Sequence, residues 1–353
     1  MAAPILEVED LKVDFATEDG IVHAVGGVSL NVSPGRMLGV VGESGSGKSV
    51  SMLTVMGLTR AENATISGTA RLEGRDLLSL PGEELRRIRG NEIAMIFQDP
   101  LSSLHPFYKV GSQLVEAIRT HQDVPKRAAR ERAVELLRLV GIPDPRGRVD
   151  SYPHEFSGGM RQRAMIAMAL ANDPKVLIAD EPTTALDVTV QSQILDLIAR
   201  LQRELDMAVV LITHDLGVVA EHTDEIAVMY AGQVVEEAAT DVIFRSPEHP
   251  YTWGLLQSIP RLDRSRDELL VPISGRPPSL IVLPSGCSFH PRCPYVRERH
   301  RRVEPRLEPV PDQDGHAVRC LLDSVTRREI WSELQKGQLP DAARASVMAE
   351  ERA

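Results

Sequence analysis

One short segment constrains this chain more than any other: Gly42-Glu43-Ser44-Gly45-Ser46-Gly47-Lys48-Ser49. It fits G-x-x-x-x-G-K-[ST], the spacing of a phosphate-binding loop. Glycines let the backbone turn so that successive N–H groups point inward at an anion. The apolar run 37–41 before it reads as a strand, and residues 48–58 after it have helical character, so a helix N-terminus would face the same anion. Lys48 adds a point charge for the β- and γ-phosphates, and the Ser49 hydroxyl can ligate Mg²⁺. A glycine-rich turn that matches by chance would lack this strand–loop–helix context.

The rest of the chain supports a fold built around such a loop. Ile5, Val8, Leu11, Val13 and Phe15 mark an early strand, and Val28, Leu30 and Val32 alternate before the Pro34–Gly35 turn. Residues 81–171 are mostly helical in pattern, broken by the strand-like run 93–97. Within them Ala133, Leu136, Leu137 and Val140 lie at helical spacing. The apolar runs 176–179 and 209–212 read as buried strands, with Val190, Ile194, Leu197, Ile198, Leu201 and Leu205 marking one helix face between them. Strands alternating with helices imply a mainly parallel sheet covered on both faces.

Composition narrows the function classes. A net charge of −10 over 353 residues argues against nucleic acid as the main partner, because a surface that tracks phosphates needs a cationic excess. The opening MAAPILEVED has no basic stretch followed by an apolar one, so no secretory signal is expected. No apolar run approaches the ~20 residues needed to span a bilayer. Three cysteines make no disulfide framework, which sets the cytosol as the default compartment.

The run 176–179 ends in Asp180 and Glu181, which puts two carboxylates at the carboxyl edge of the sheet, where ligands of such folds bind. Asp180 is the candidate Mg²⁺ holder, mostly through water. Glu181 is the candidate general base for an attacking water.

At these residues the chain resembles the ATPase domain of ABC transporters, over about residues 6–244. The most diagnostic element is Phe156-Ser157-Gly158-Gly159-Met160-Arg161-Gln162-Arg163, similar to the family's Leu-Ser-Gly-Gly-Gln signature. Phe156 replaces Leu and Met160 replaces the final Gln, both outside the Ser-Gly-Gly core. In that family two ATPase domains clasp ATP and Mg²⁺ between the phosphate loop of one and the signature of the other. Ser157, Gly158 and Gly159 at a helix start could then meet the γ-phosphate from the far side. Gln98 matches the Q-loop glutamine that senses Mg²⁺ and the γ-phosphate. Ala185-Leu186-Asp187 matches the D-loop that crosses the dimer interface. His214 matches the switch histidine that orients the base. Phe15 stands where the family carries an aromatic that stacks on adenine, although a core aromatic on the first strand would read the same.

The stretch 99–106, Asp-Pro-Leu-Ser-Ser-Leu-His-Pro, resembles the oligopeptide and dipeptide (peptide/nickel) importer branch. So do His249-Pro250-Tyr251-Thr252 and Gly275-Arg276-Pro277-Pro278-Ser279-Leu280. The expected fold is therefore α/β, a P-loop NTPase of the ABC ATPase type with a RecA-like core plus a helical subdomain and a small C-terminal loop-rich module. Residues 1–245 would form the ATPase domain, its helical subdomain at about 99–171. Residues 246–322, where prolines become dense, would form the C-terminal module. Residues 323–353, charged and Ala-rich, read as a surface helix or a tail and are assigned as tail.

In the resembled branch four cysteines of this module ligate a 4Fe–4S cluster. Here Cys287, Cys293 and Cys320 are present, and His300 stands at the third cysteine position. A Cys₃His set also suits zinc, and three buried free cysteines remain the alternative. His290 and His316 are further candidate ligands. Residues 274–322 are poor in periodic apolar positions, so a metal centre could offset their ordering entropy.

The resemblance implies an ATPase that powers import of dipeptides, longer peptides or nickel chelates. Its partners would be a second ABC ATPase subunit, by branch habit a paralogue, two transmembrane permease subunits and an extracytoplasmic solute-binding protein, with no nucleic acid. Its place would be peripheral, on the cytoplasmic face of the cell membrane. An ABC-type ATPase acting on nucleic acid or ribosomes would carry two ATPase domains or a long coiled-coil insertion. This chain has one phosphate loop, one signature and no long heptads. A non-hydrolysing regulatory subunit would not need Lys48, Asp180, Glu181 and His214 together.

Overall fold

The computed structural model describes residues 3–98, 103–184, 187–259 and 272–348. The chain begins in an antiparallel sheet rather than in the parallel one. β1 (Leu6–Thr17) and β2 (Gly20–Val32) form a hairpin. β4 (Ala64–Leu72) pairs with the other edge of β1, and the short β5 (Arg75–Asp76) pairs with β4.

The second sheet holds β3 (Met37–Val41), β6 (Ile93–Ile96), β7 (Val176–Asp180), β8 (Ala208–Thr213), β9 (Glu225–Tyr230), β10 (Gln233–Ala239), β11 (Glu308–Pro309) and β12 (Ala317–Val318), in the order β11-β12-β10-β9-β3-β8-β7-β6. From β6 to β9 neighbours run parallel; from β9 to β11 they run antiparallel. The parallel sheet expected from the alternating pattern is therefore one side of it, from β9 to the edge strand β6.

The continuous apolar runs follow from burial on both faces. In β3, Met37 and Val41 join the core on the helical side, while Leu38 and Val40 face the antiparallel sheet. β7 splits the same way, Leu177 and Ala179 against Val176 and Ile178. Helices Val110–His121, Lys126–Leu139 and Gly158–Ala169 pack on the first side through Leu114, Ile118, Ala133, Leu136, Leu137 and Ile166.

The C-terminal module is joined to the ATPase core. Its β11 and β12 extend the main sheet beyond β10. The stretch assigned as tail forms helices Ser324–Gln335 and Pro340–Val347 instead. Ile330, Trp331 and Leu334 lie on one helical face and close a small core with Trp253, Tyr295 and Leu322. Ala343 of the second helix joins the same core, with Val347 and Met348 packed against it, so the segment docks through a few apolar positions among charged ones. The module thus has a core of its own, in which Tyr295 and Leu322 of the 274–322 stretch pack against Trp253, Ile330, Trp331 and Leu334 from outside it, so a metal centre is not its sole source of stabilisation. No helix among the described residues is long and apolar enough to cross a membrane.

Candidate active site

Parallel register brings the motifs together. Val41 pairs with Thr213, Asp180 with Ile212, and Ile96 with Ala179. The residues that follow these strand ends, Gly42, His214, Glu181 and Gln98, therefore emerge along one edge of the sheet, as open α/β sheets place their ligands.

The phosphate loop is tightly packed. Gly47 is the N-cap of helix Lys48–Val55 at φ 97°, and a Cβ there would stand 2.5 Å from the Ala24 carbonyl oxygen. A Cβ on Gly42 would meet the Met229 carbonyl oxygen at 2.2 Å. Only glycine fits either place. Ser44 and Gly45 are exposed at the tip, whereas Ser46 is buried with its hydroxyl lacking a hydrogen-bond partner. Lys48 is 4% exposed and donates Nζ to the carbonyls of Gly42 at 2.7 Å and Glu43 at 3.0 Å. Burial pulls its ammonium below the ordinary lysine value, opposed by the charges of Glu181, Asp180 and Glu43. Ser49 Oγ donates to Asp180 Oδ1 at 2.8 Å. Burial raises the Asp180 carboxyl above its usual range, and the Ser49 bond opposes that shift.

Glu181 is the hub. Its carboxylate accepts from Gln98 Nε2 and from Thr184 Oγ1, each at 2.9 Å, and His214 Nδ1 lies 3.3 Å away. Its backbone sits at φ 44°, a left-handed conformation that costs a non-glycine residue about 1 kcal/mol, and its N–H donates to the Ile212 carbonyl at 2.9 Å. Sequence reasoning missed Thr184, which no motif spacing singles out.

The signature and D-loop residues have local roles. Ser157 caps helix Gly158–Ala169 by accepting from the Met160 N–H, and Asp187 caps helix Val188–Leu205 by accepting from the Val190 N–H. Both side chains are exposed. Ala185 and Leu186, and residues 99–102 of the branch motif, lie outside the described residues. Phe15 is half buried on β1, paired with Val22 and Ala64 and packed against the core between the sheets.

In the C-terminal module the cysteines are gathered without converging. Cys287 and Cys293 border the main core, and Cys293 and Cys320 border the small aromatic one. Burial raises all three thiols, and together with the charge of a neighbouring thiolate it pushes Cys320 up to about 12 and Cys293 well above the ordinary thiol range. The Cys287 N–H donates to the His300 carbonyl at 2.8 Å. His300 is buried; its Nδ1 accepts from the Arg297 N–H at 3.0 Å, and its Nε2 has no partner. His316 is committed elsewhere, Nε2 to Glu236 Oε1 at 2.9 Å and Nδ1 to Gln313. His290 Nδ1 bonds the Cys287 carbonyl. Among the described residues no three His, Cys, Asp or Glu side chains are grouped as a metal-ligand set.

Known proteins place this arrangement. The ABC transporter family model matches residues 25–184, and the model for the oligopeptide/dipeptide transporter C-terminal region matches residues 235–299. The oligopeptide transport ATP-binding protein OppD of Bacillus subtilis is 48% identical over 97% of this chain and 94% of its own length. The dipeptide transport ATP-binding protein DppD of Haemophilus influenzae is 50% identical over 90% of this chain and 94% of its own. Among solved structures, a dimeric ATP-binding cassette in a post-hydrolysis state with ADP and Pi aligns with a TM-score of 0.60 at 27% identity, over 67% of this chain and 98% of that one. The phosphate loop, the two acids at the end of β7 and the C-terminal module all fall within these matches, and the chain belongs to the ABC transporter family, among the ATP-binding proteins of its oligopeptide/dipeptide branch.

Proposed function

We propose that this chain binds and hydrolyses ATP to drive import of oligopeptides, dipeptides or related solutes through partner membrane subunits. The observation that carries the reading is the Glu181 cluster. One carboxylate is held by Gln98 and Thr184 and faced by His214, beside a loop that presents Lys48 and Ser49. Catalysis here is positioning plus charge stabilisation. Glu181 takes the proton of the attacking water, and His214 and Gln98 fix its orientation and report the γ-phosphate. Lys48 and the loop N–H groups of Gly42, Ser44, Gly45, Ser46 and Gly47 hold the phosphates. Ser49, Asp180 and Gln98 are the residues that would hold Mg²⁺, which neutralises charge on the phosphates when bound. Phe15 would stack on adenine. Ser157, Gly158, Gly159 and the exposed Asp187 would serve the nucleotide of a second ATPase subunit, by branch habit a paralogue.

The permease contact is assigned to the groove of about 370 Å³ lined by Met56, Leu58, Phe97, Ala117, Met165 and Met168. It is mostly apolar and lies next to Gln98, so a docked membrane subunit would sense the same residue that touches Glu181. The complex would comprise two permease subunits and an extracytoplasmic solute-binding protein, with this chain peripheral on the cytoplasmic face. The test is ATP-dependent uptake of labelled di- and oligopeptides by the assembled complex in proteoliposomes. ATP turnover with no stimulation by solute-loaded binding protein, for peptides and nickel chelates alike, would overturn it.

A metal centre in the C-terminal module belongs to the same reading. The donor set fits in kind: three thiols, Cys287 buried and Cys293 and Cys320 partly so, that a metal would deprotonate, and a buried imidazole Nε2 without a partner. Cys287, Cys293, Cys320 and His300 would hold a 4Fe–4S cluster or zinc, in a structural role.

A further inference from the structure

The phosphate loop is held from behind by the C-terminal module, and one residue makes most of that contact. Arg292 lies 78 positions beyond His214, the last of the ATPase motif residues, yet its guanidinium grips the loop residue Glu43 in a two-pronged pair, Nη1 to Oε2 at 2.5 Å and Nη2 to Oε1 at 3.0 Å. The Arg292 side chain is 4% exposed. Its Nε donates to the Ser274 carbonyl at 3.0 Å, and its Cζ stands 5.7 Å from the centre of the Tyr230 ring. Tyr251, fully buried and packed on Tyr230 and Phe289, accepts the Glu43 backbone N–H on its hydroxyl at 2.8 Å. The third polar group of Glu43, its carbonyl, accepts from Lys48 Nζ. All three are therefore fixed: the N–H by Tyr251, the carboxylate by Arg292, the carbonyl by the lysine that would face the phosphates.

Two physical consequences follow. A carboxylate in a phosphate loop repels a polyphosphate unless it is neutralised, and a buried bidentate arginine does that without water. The chain of contacts Arg292–Glu43–Lys48, with Tyr251 on the Glu43 N–H, also ties the position of the lysine to the fold of the module. We propose that Arg292, with Tyr251, is a positioning residue for nucleotide binding, through which the C-terminal module sets the affinity of the phosphate loop for ATP. This rests on the ATP-site reading above and extends it to a residue that belongs to none of the ATPase motifs.

The test measures ATP affinity by calorimetry and KM and kcat for hydrolysis in the full-length protein assembled with its partners. Arg292→Gln is expected to weaken ATP binding about tenfold, or about 1.4 kcal/mol, and to raise KM while kcat at saturating ATP changes less than threefold. Glu43→Gln in the Arg292→Gln background is expected to restore most of the affinity, because the uncompensated carboxylate is then gone. A general loss of packing would not be rescued by removing that charge. If Arg292→Gln does not fold, Tyr251→Phe decides instead, since it deletes only the hydroxyl that holds the Glu43 N–H and is expected to raise KM at least threefold. Wild-type affinity in the folded Arg292→Gln protein, or no rescue by Glu43→Gln, would overturn the proposal, as would an unchanged KM in Tyr251→Phe. Wild-type protein and Lys48→Ala serve as controls. A wild type that binds no ATP would instead refute the ATP-site reading itself.

Discussion

Gln98 donates its side-chain amide to Glu181 at 2.9 Å across a sequence separation of 83 residues. The contact joins the strand ends of β6 and β7, so a shift at the edge strand is felt by the carboxylate at the centre of the site. Gln98 is also exposed next to the apolar groove assigned to the permease. A membrane subunit that moves this strand end would move a hydrogen bond to Glu181 with it.

Glu181→Gln is expected to keep ATP binding and to lower turnover by roughly two orders of magnitude or more, because the amide keeps the shape but cannot take a proton. The variant should accumulate as an ATP-bound closed dimer. Steady-state hydrolysis by the assembled transporter checks this, and turnover near wild type would remove Glu181 from the role of base.

Lys48→Ala acts earlier. The ammonium is buried and tied to loop carbonyls, so its loss takes away a charge meant for phosphate and the lysine donor of the Gly42 and Glu43 carbonyls, of which Glu43 keeps the Ser46 N–H. ATP affinity measured by calorimetry should fall at least tenfold. An unchanged affinity would count against the phosphate-loop assignment.

The C-terminal cysteines give a chemical prediction. Anaerobically purified protein should contain iron with sulfide, or zinc, near one site per chain, lowered in His300→Ala. Iron with sulfide in the wild type identifies the cluster, and zinc alone identifies the Cys₃His site. Substoichiometric amounts of all of them, with the three thiols freely alkylated in the native protein, would refute the centre.

Acid stability should depend on His249. Burial drives its pKa down to about 3, and the nearby Arg327 charge opposes protonation further. A folded-state value below the unfolded one means that the unfolded chain binds the extra proton. Stability is therefore unaffected by this group above about pH 6.5 and falls as pH drops from about 6.5 toward 3, by at most about 1.4 kcal/mol per pH unit. Its Nδ1 accepts the Tyr251 N–H at 3.1 Å, which a protonated ring could not do. Denaturant unfolding at pH 7.5 and 5 should show a smaller pH dependence in His249→Asn than in wild type. Equal pH dependence in the two would exclude His249 as the titrating group.

Much of the site was legible in the order of residues along the chain. Gly42 to Ser49 needs glycines where the backbone turns left-handed and packs on Ala24 and Met229, so the loop's chemistry is written locally. Asp180, Glu181 and His214 follow short apolar runs, and burial of a strand on both faces leaves that trace in any sequence. Ser157 and Asp187 announce themselves as helix caps as well as motif residues. Tertiary structure decided what depends on contacts between distant segments. Thr184 joins the Glu181 cluster by the path of a turn, and Arg292 and Tyr251 reach Glu43 across separations of 249 and 208 residues, at which no local periodicity records a partner. The docking of Ile330, Trp331 and Leu334 depended on an aromatic surface made elsewhere by Trp253 and Tyr295. Local backbone geometry and two-faced burial leave periodic marks on a sequence; a buried ion pair or an aromatic core between remote segments exists only once the chain has brought them together.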